Sequence, residues 1–267
     1  MVKILFLIAC VCLMLDNPAF STNIECEYEI SHAWYYYIGR IYQCNIKDGG
    51  INIKTREQAR ITSVNGTHED QNNNKDVVGL RANYRYSIKY FPKGLEEFFG
   101  QLQVIFIYYC ELKEIHQSDL KPFPELTSFS SAHNHIEVIE QGLFDYNPKL
   151  SFVEFQERNL IHIDANVFDH LDDLGYFWMK VVPCVQKDIW DSQEDVLDVI
   201  KIVKNQCVSS KYLELEKEVK KLENESKTLD STAFKTNLQA FVGKYSTSVF
   251  LGFRPLKSKY ETLKSGH

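Results

Sequence analysis

A 24-residue period in the middle of the chain constrains the fold more than any other feature of the sequence. The stretches Leu102–Glu125, Leu126–Lys149 and Leu150–Asp173 have equal length, and apolar residues recur at their places 1, 4, 11, 14 and 19. A fourth stretch begins at Leu174 and ends at Pro183-Cys184. Such a period indicates supersecondary units that cannot bury their apolar side chains alone and become stable only by stacking on their neighbours.

The residue types within each unit match the leucine-rich-repeat pattern L-x-x-L-x-L-x-x-N/C-x-L. Places 3 to 8 form a strand of a parallel sheet, and the later apolar places close the core from the other side. The sequence therefore predicts an α/β solenoid, a short leucine-rich-repeat horseshoe over residues 77–183. An ordinary α/β domain with coincident spacing is the alternative.

Place 9 of each unit tests this interpretation, because an Asn or Cys there faces the interior and satisfies backbone groups of the turn. Cys110 and Asn134 occupy that place in the first two units, whereas the third unit has Arg158. Either the turn shifts by one residue at Arg158 or the ladder ends there. Cys110 is expected to be a buried free thiol, and an intermolecular disulfide is the alternative.

Both ends of such an array need caps that cover the apolar core. Residues 22–76 are predicted to be an N-terminal cap with short strands at Ile51–Lys54 and Arg60–Val64. Residues 184–208 are predicted to be a C-terminal cap, an amphipathic helix whose apolar residues include Ile189, Trp190 and Val196. Each cap contains two cysteines, and their positions suggest the disulfides Cys26–Cys44 and Cys184–Cys207.

The first residues resemble a secretory signal peptide, predicted to end at residue 21. Lys3 precedes the apolar run Ile4–Leu15, which is shorter than the roughly 20 residues of a membrane-spanning helix. No later stretch is apolar enough to span a bilayer, so the chain is expected to be secreted and extracellular. Asn65-Gly-Thr and Asn224-Glu-Ser are glycosylation acceptors in that compartment.

The tail, residues 209–267, contains a heptad pattern of apolar residues separated by Glu and Lys: Tyr212, Leu215, Val219, Leu222 and Leu229. This pattern predicts C-terminal helices that form a coiled coil, either with a partner or with a second copy of the chain. The alternative is that the helices pack on each other or on the repeats.

Residues at places 3, 5, 7 and 8 of the predicted strands point away from the core, toward the concave face. Exposed aromatic side chains there are preferred anchors of interfaces. The predicted binding surface consists of Phe106, Tyr108, Tyr109, Phe152, Tyr176 and Trp178. The alternative is that the C-terminal helices cover some of them.

Other function classes have weaker support in the sequence. The chain has a net charge of −6, and its sequence contains no stripe of basic residues of the kind that nucleic-acid-binding proteins have. No catalytic motif is present, so an enzyme and a cofactor are not expected. His133 and His135 have no further ligand at a metal-binding spacing, so no metal site is predicted. Glu154 and Glu157 are interpreted as part of a solvated face.

These features together resemble secreted dipteran leucine-rich-repeat proteins. The stretch YFPKGLEEFF, Tyr90–Phe99, is similar to one in midge and mosquito members, and the pairing of repeats with a C-terminal coiled coil is similar to mosquito leucine-rich-repeat immune proteins. The resemblance implies a role in innate immunity or in another form of extracellular recognition, and it implies no catalytic residues.

Two hypotheses follow for the function. The first is a recognition protein that binds a protein or glycan partner through the concave face. The second is an extracellular scaffolding protein that oligomerises through residues 209–267.

Overall fold

The computed structural model describes residues 21–32, 39–84, 87–185, 187–189, 193–228, 231–244 and 260–263. Nine strands of this part of the chain form one sheet. In chain order they are β1 (Thr22–His32), β2 (Arg40–Ile46), β4 (Ile61–Asn65), β5 (Gly79–Asn83), β7 (Val104–Tyr108), β8 (Ser128–Ala132), β10 (Phe152–Gln156), β12 (Tyr176–Met179) and β13 (Lys187–Ile189). Their spatial order is β13-β12-β10-β8-β7-β5-β2-β1-β4.

The other described elements include two short strand pairs, three 3-10 helices (Glu57–Ala59, Asn74–Asp76 and Leu95–Glu97) and four α-helices. The pairs are β3 (Asn52–Ile53) with β6 (Ser87–Ile88), and β9 (Val138–Ile139) with β11 (His162–Ile163). The helices are α1 (Gln117–Leu120), α2 (Gln193–Gln206), α3 (Ser210–Thr228) and α4 (Ser231–Lys244). No helix among the described residues is long and apolar enough to cross a membrane. The predicted signal peptide lies outside the described residues.

The strands β7, β8, β10 and β12 pair in parallel and in register. Val104 pairs with Ser128, Ser128 with Phe152, and Phe152 with Tyr176, so each step is 24 residues. Leu102, Leu126, Leu150 and Leu174 each precede one of these strands and are buried at 2% exposure or less. The sequence period therefore corresponds to the register of this part of the sheet.

The prediction of a solenoid, a leucine-rich-repeat horseshoe, is wrong as a description of the fold. The chain forms a mixed, mostly parallel sheet in which β1–β2 and β12–β13 are antiparallel. The period also fails outside the central strands. Gln43 pairs with Gly79 and Gly79 with Val104, so those steps are 36 and 25 residues. A period sets which strands pair, but it does not specify the unequal connections and reversed strands on either side.

Buried apolar side chains form one continuous core along one face of the sheet. It includes Ile105, Phe129, Val153 and Phe177, which occupy equivalent positions on the four central strands. Their strands alternate inward and outward side chains, so the neighbouring residues Phe106, Ser130, Glu154 and Trp178 face the opposite side. The rings of Phe129 and Phe155 lie 5.7 Å apart, centroid to centroid, within this core.

Asn134 holds the turns after β7 and β8 together from the interior. Its Oδ1 accepts hydrogen bonds from the backbone N–H groups of Cys110 (2.9 Å) and Leu112 (3.3 Å). Its Nδ2 donates to the carbonyl of Ile107 (2.9 Å) and to Ser131 Oγ (3.0 Å). This one buried amide thus satisfies three backbone groups that water cannot reach.

Cys110 lies beside this amide as a buried free thiol. Its Sγ donates to the carbonyl of Tyr108 at 2.9 Å, and burial raises the pKa of the thiol to about 12. The thiol is therefore uncharged and unreactive at neutral pH.

The two disulfides of the structure join Cys26 to Cys44 and Cys184 to Cys207, the pairs that their sequence positions suggest. Cys26 and Cys44 link the antiparallel strands β1 and β2, whereas Cys207 follows α2 and fixes its end to the turn at Cys184. Disulfides of this kind persist in oxidising compartments, and they are compatible with an extracellular protein.

The C-terminal helices differ in two respects from the sequence interpretation. Lys187–Ile189 is a strand rather than the start of the amphipathic helix, and Trp190 lies outside the described residues. The heptad side chains of α3 are buried against α4 of the same chain. This cluster contains Tyr212, Leu215, Val219, Leu222, Phe234, Leu238 and Phe241. The helices therefore pack on each other, which is the alternative that the heptad pattern left open.

Replacing Asn134 with Ala tests the role of its amide. The substitution leaves buried N–H and carbonyl groups without partners, at about 1–3 kcal/mol for each group that water cannot reach. We expect the free energy of unfolding to fall by about 3 kcal/mol, measured by urea denaturation. Asn159→Ala, an exposed asparagine in the next turn, should change it by less than about 0.5 kcal/mol. Equal effects of the two substitutions would contradict this role.

Candidate functional site

Three aromatic rings stack on one another just beyond the carboxyl ends of neighbouring strands. Tyr84 follows β5, Tyr109 follows β7 and His133 follows β8. The ring centroids of Tyr84 and Tyr109 are 4.8 Å apart, and those of Tyr109 and His133 are 4.3 Å apart, with interplanar angles of 20° and 14°. Tyr84 is 50% exposed and Tyr109 is 43% exposed. We call these three residues the aromatic ladder.

The backbone fixes the ladder through the same contact at each position. The N–H of Tyr84 donates to the carbonyl of Tyr108, that of Tyr109 to Ala132, and that of His133 to Gln156, at 3.2, 3.0 and 2.8 Å. All three ladder residues have positive φ angles of 51°, 52° and 55°. Residues with a Cβ rarely adopt this conformation because it is strained. In many proteins, residues with such strained backbones cluster at functional sites.

Stacking determines which parts of the rings a partner can reach. Both faces of Tyr109 are covered, one by Tyr84 and the other by His133. The exposed fraction of Tyr109 therefore belongs to its ring edge and hydroxyl group. Aromatic edges have positive partial charge, and a tyrosine hydroxyl can donate or accept a hydrogen bond. Such a surface suits carbonyl and hydroxyl oxygen atoms of a partner.

The charge of the ladder depends on His133. Partial burial and then the guanidinium of Arg158 hold the pKa of His133 below its usual value, although Glu154 acts in the opposite direction. The imidazole is therefore neutral at pH 7, and the ladder itself is uncharged there. Arg158 is exposed next to it and provides a positive charge at that end.

The predicted binding residues differ widely in exposure. Tyr109 belongs to the ladder, and Tyr176 and Trp178 are half-buried on the outward face of β12. The remaining three, Phe106, Tyr108 and Phe152, are buried, with 0%, 6% and 2% exposure. These residues form a second apolar cluster, separate from the main core.

Small side chains on β8 allow this second cluster to form. Ser128, Ser130 and Ala132 lie between the aromatic residues of β7 and those of β10. The rings of Phe106 and Phe152 meet across that strand with a centroid distance of 6.3 Å and an interplanar angle of 74°. Edge-to-face packing of this kind stabilises the sheet.

The interpretation of Glu154 and Glu157 as a solvated face is wrong, since both are fully buried. Glu154 lies in the second cluster. Its Oε2 accepts hydrogen bonds from Tyr108 Oη (2.7 Å) and Ser130 Oγ, and its Oε1 accepts one from Gln156 Nε2. Glu154 thus connects β7, β8 and β10 on the outward face of the sheet.

Glu157 lies in the interior at the end of β10 and explains the departure at Arg158. Its Oε1 accepts from Ser131 Oγ (2.7 Å), and its Oε2 accepts from the backbone N–H of Asn134 (3.0 Å). The polar contacts of the turn are thus supplied by Glu157 in this unit, and Arg158 is exposed. Burial raises the pKa of Glu157 to about 8.

Both predicted glycosylation sites are exposed in the structure. Asn65 is exposed at the end of β4, where its Nδ2 donates to Glu25 Oε1 at 2.9 Å. Asn224 is exposed on α3. Glycosylation of either residue stays a prediction. Within the described ranges, no group of three or more His, Cys, Asp or Glu side chains could hold a metal ion.

Sequence reasoning identified Tyr109 but missed its partners in the ladder. Tyr84 and His133 occupy the same position after their strands, one step before and one step after Tyr109 in the sheet. Rings at equivalent positions of neighbouring parallel strands are expected to stack, so the alignment of the units contained this signal.

Comparison with known proteins adds no family assignment. No protein-family model matches the sequence, and no curated protein is significantly similar to it. The resemblance to dipteran leucine-rich-repeat proteins therefore stays a prediction.

Replacing Glu157 with Gln tests its titration. A raised pKa means that the folded state binds the proton more tightly than the unfolded state, so this contribution to stability is present below about pH 4.5 and is lost as pH rises through about 8. Gln keeps a neutral side chain at every pH. In urea unfolding at pH 8.5, we expect Glu157→Gln to be more stable than the natural protein by a few kcal/mol, on the order of 1.4 kcal/mol per pKa unit.

The difference between Glu157→Gln and the natural protein should almost disappear at pH 4.5. The exposed residue Glu96 provides the control, because Glu96→Gln should have little effect at either pH. A stability difference that is the same at pH 4.5 and 8.5 would exclude titration of Glu157 as its cause.

Proposed function

We propose that this chain is a secreted, non-enzymatic recognition protein that binds an extracellular protein or glycan. The observation that supports this proposal most directly is the aromatic ladder of Tyr84, Tyr109 and His133. Aromatic residues are frequent energetic centres of interfaces, because they provide a large contact area with little loss of conformational entropy. The exposed tyrosines directly follow paired strands and are stacked, so little ordering is required when a partner binds.

The extracellular location is supported by two disulfides in the described structure and by the apolar leader in the sequence. A role in innate immunity is also part of the proposal. Its support is the resemblance to mosquito immune proteins, which identifies neither the partner nor the tissue.

Half-buried Tyr176 and Trp178 extend the proposed surface along the outward face of the sheet. They are two strands away from β8, and Trp178 pairs in register with Glu154 on β10. The proposed surface therefore has an exposed part, the ladder, and a half-buried part on β12.

Single substitutions in the ladder provide the test. We expect Tyr109→Ala to weaken binding of a partner by about tenfold or more, as for an aromatic residue at the centre of an interface. Biotinylated protein would be incubated with native extracellular fluid and, separately, with a glycan array. Dissociation constants for each captured partner would then be measured by surface plasmon resonance.

Tyr146→Ala is the matched control. Tyr146 is 42% exposed, similar to Tyr109, but it lies beside Lys121 and away from the ladder. The control should bind as the natural protein does. If Tyr109→Ala and Tyr146→Ala both bind with unchanged affinity, the ladder is not the recognition surface.

The scaffolding alternative depends on an exposed apolar seam on the C-terminal helices. The described part of α3 buries its heptad residues against α4, and Leu222 is 4% exposed. Leu222→Glu should therefore lower the melting temperature by the same amount at 2 and 200 µM protein, that is, at concentrations differing by roughly a hundredfold. A concentration-dependent melting temperature in the natural protein, abolished by the substitution, would support the scaffolding function instead.

A further inference from the structure

The C-terminal helices α3 and α4 follow a junction with the sheet that lies immediately after the second disulfide. The N–H of Ile163 donates to the carbonyl of Cys207 at 3.0 Å, and the N–H of Ser209 donates to Nδ1 of His162 at 2.9 Å. The imidazole of His162 is 1% exposed and stacks on the ring of Tyr212, with centroids 4.2 Å apart. Ser209 immediately precedes α3 and Tyr212 lies in its first turn, so His162 contacts the chain where this helix begins.

The hydrogen bond from Ser209 defines the protonation state of His162. A backbone N–H can only donate, so Nδ1 must present its lone pair and cannot be protonated. A second proton on the ring would place two N–H groups opposite each other at hydrogen-bond distance. The observed contact thus requires the neutral imidazole with its proton on Nε2.

Charged groups from each neighbouring element surround this junction. Asp164 follows β11, Glu216 is on α3, and Glu140 follows β9, where its Oε1 accepts from Tyr212 Oη at 2.9 Å. On its far side, Glu140 Oε2 is 3.5 Å from Nδ1 of His116. Further from His162, the network continues through Glu114 to Arg56.

We propose that His162 is a proton-sensitive latch: when the imidazole takes up a proton, the bond to Ser209 breaks, and α3 and α4 detach together from the sheet. The two helices remain packed on each other through Leu215, Val219, Leu222, Phe234 and Phe241, apolar side chains of their shared cluster that carry no titratable group. The surface uncovered on the sheet is the β9–β11 pair, including Val138, which is buried in that cluster.

The pH range over which the latch responds follows from the pKa of His162 in the attached and the detached state. Burial holds the pKa of His162 below its usual value of 6.5 in the attached state, although the three carboxylates act in the opposite direction. In the detached state the ring is solvated and its pKa returns toward 6.5. Attachment is therefore favoured above this pH and weakens as pH falls below it, by up to about tenfold per pH unit.

The pKa of His116 is raised, whereas that of His162 is lowered, and His116 does not cause the pH dependence of the latch. Hydrogen bonds and charge interactions with Glu114 and Glu140 outweigh burial and raise the pKa of His116 to about 9. It is therefore already protonated at pH 7.5 and remains so at pH 5.5. A change between these two pH values cannot come from His116.

Hydrogen–deuterium exchange of the full-length protein tests the latch. Protection of the amides of Ser209 and of the first turn of α3 would be compared at pH 7.5 and 5.5, after correction for intrinsic exchange rates. We expect protection to be about tenfold lower at pH 5.5 in the natural protein. In His162→Phe, which keeps a ring against Tyr212 but cannot titrate, protection should be the same at both pH values.

His135→Phe is the control, because His135 is exposed and precedes the β9–β11 pair rather than belonging to it. It should show the same pH response as the natural protein. A pH response that persists in His162→Phe overturns the proposal, and so does unchanged protection in the natural protein. If His162→Phe does not fold, NMR titration of the natural protein decides, since the Ser209 amide must shift with the same midpoint as the His162 ring.

Discussion

In-register parallel pairing of β7, β8, β10 and β12 is the constraint on which the other features depend. Because each step is 24 residues, equivalent residues of successive segments lie side by side across the sheet. This places apolar residues together on one face and brings the amide of Asn134 to the end of β7 and the turn that follows it. The same alignment brings Tyr109 and His133 together at the strand ends.

Buried polar residues other than Asn stabilise the turns where the repeated sequence pattern is interrupted. Where Asn134 has no counterpart in the next segment, Glu157 supplies hydrogen-bond acceptors from the neighbouring position. A carboxyl group in that place is mostly uncharged at neutral pH, because burial disfavours its ionised form.

Of the two histidines near Glu140, one is protonated and the other is neutral, for different physical reasons. His116 is protonated, because Glu114 and Glu140 each lie 3.5 Å from one of its ring nitrogen atoms. His162 is neutral, because it is buried and accepts a hydrogen bond from a backbone N–H. Glu140 therefore joins a permanently charged network to the junction where α3 begins, through its contact with Tyr212.

The sequence by itself determined the pairing of the central strands, the two disulfides and the interior position of Asn134, because these follow from spacing along the chain. It did not determine the fold around those strands. The 36-residue step from Gln43 to Gly79 and the antiparallel strands at β1–β2 and β12–β13 have no periodic signal. Exposure was also decided only in three dimensions, because burial of Phe106, Phe152 and Glu154 depends on atoms distant in sequence. Likewise, the left-handed backbone that presents Tyr84 and Tyr109, and the contact of His162 with Ser209, arise from tertiary packing that local residue patterns do not encode.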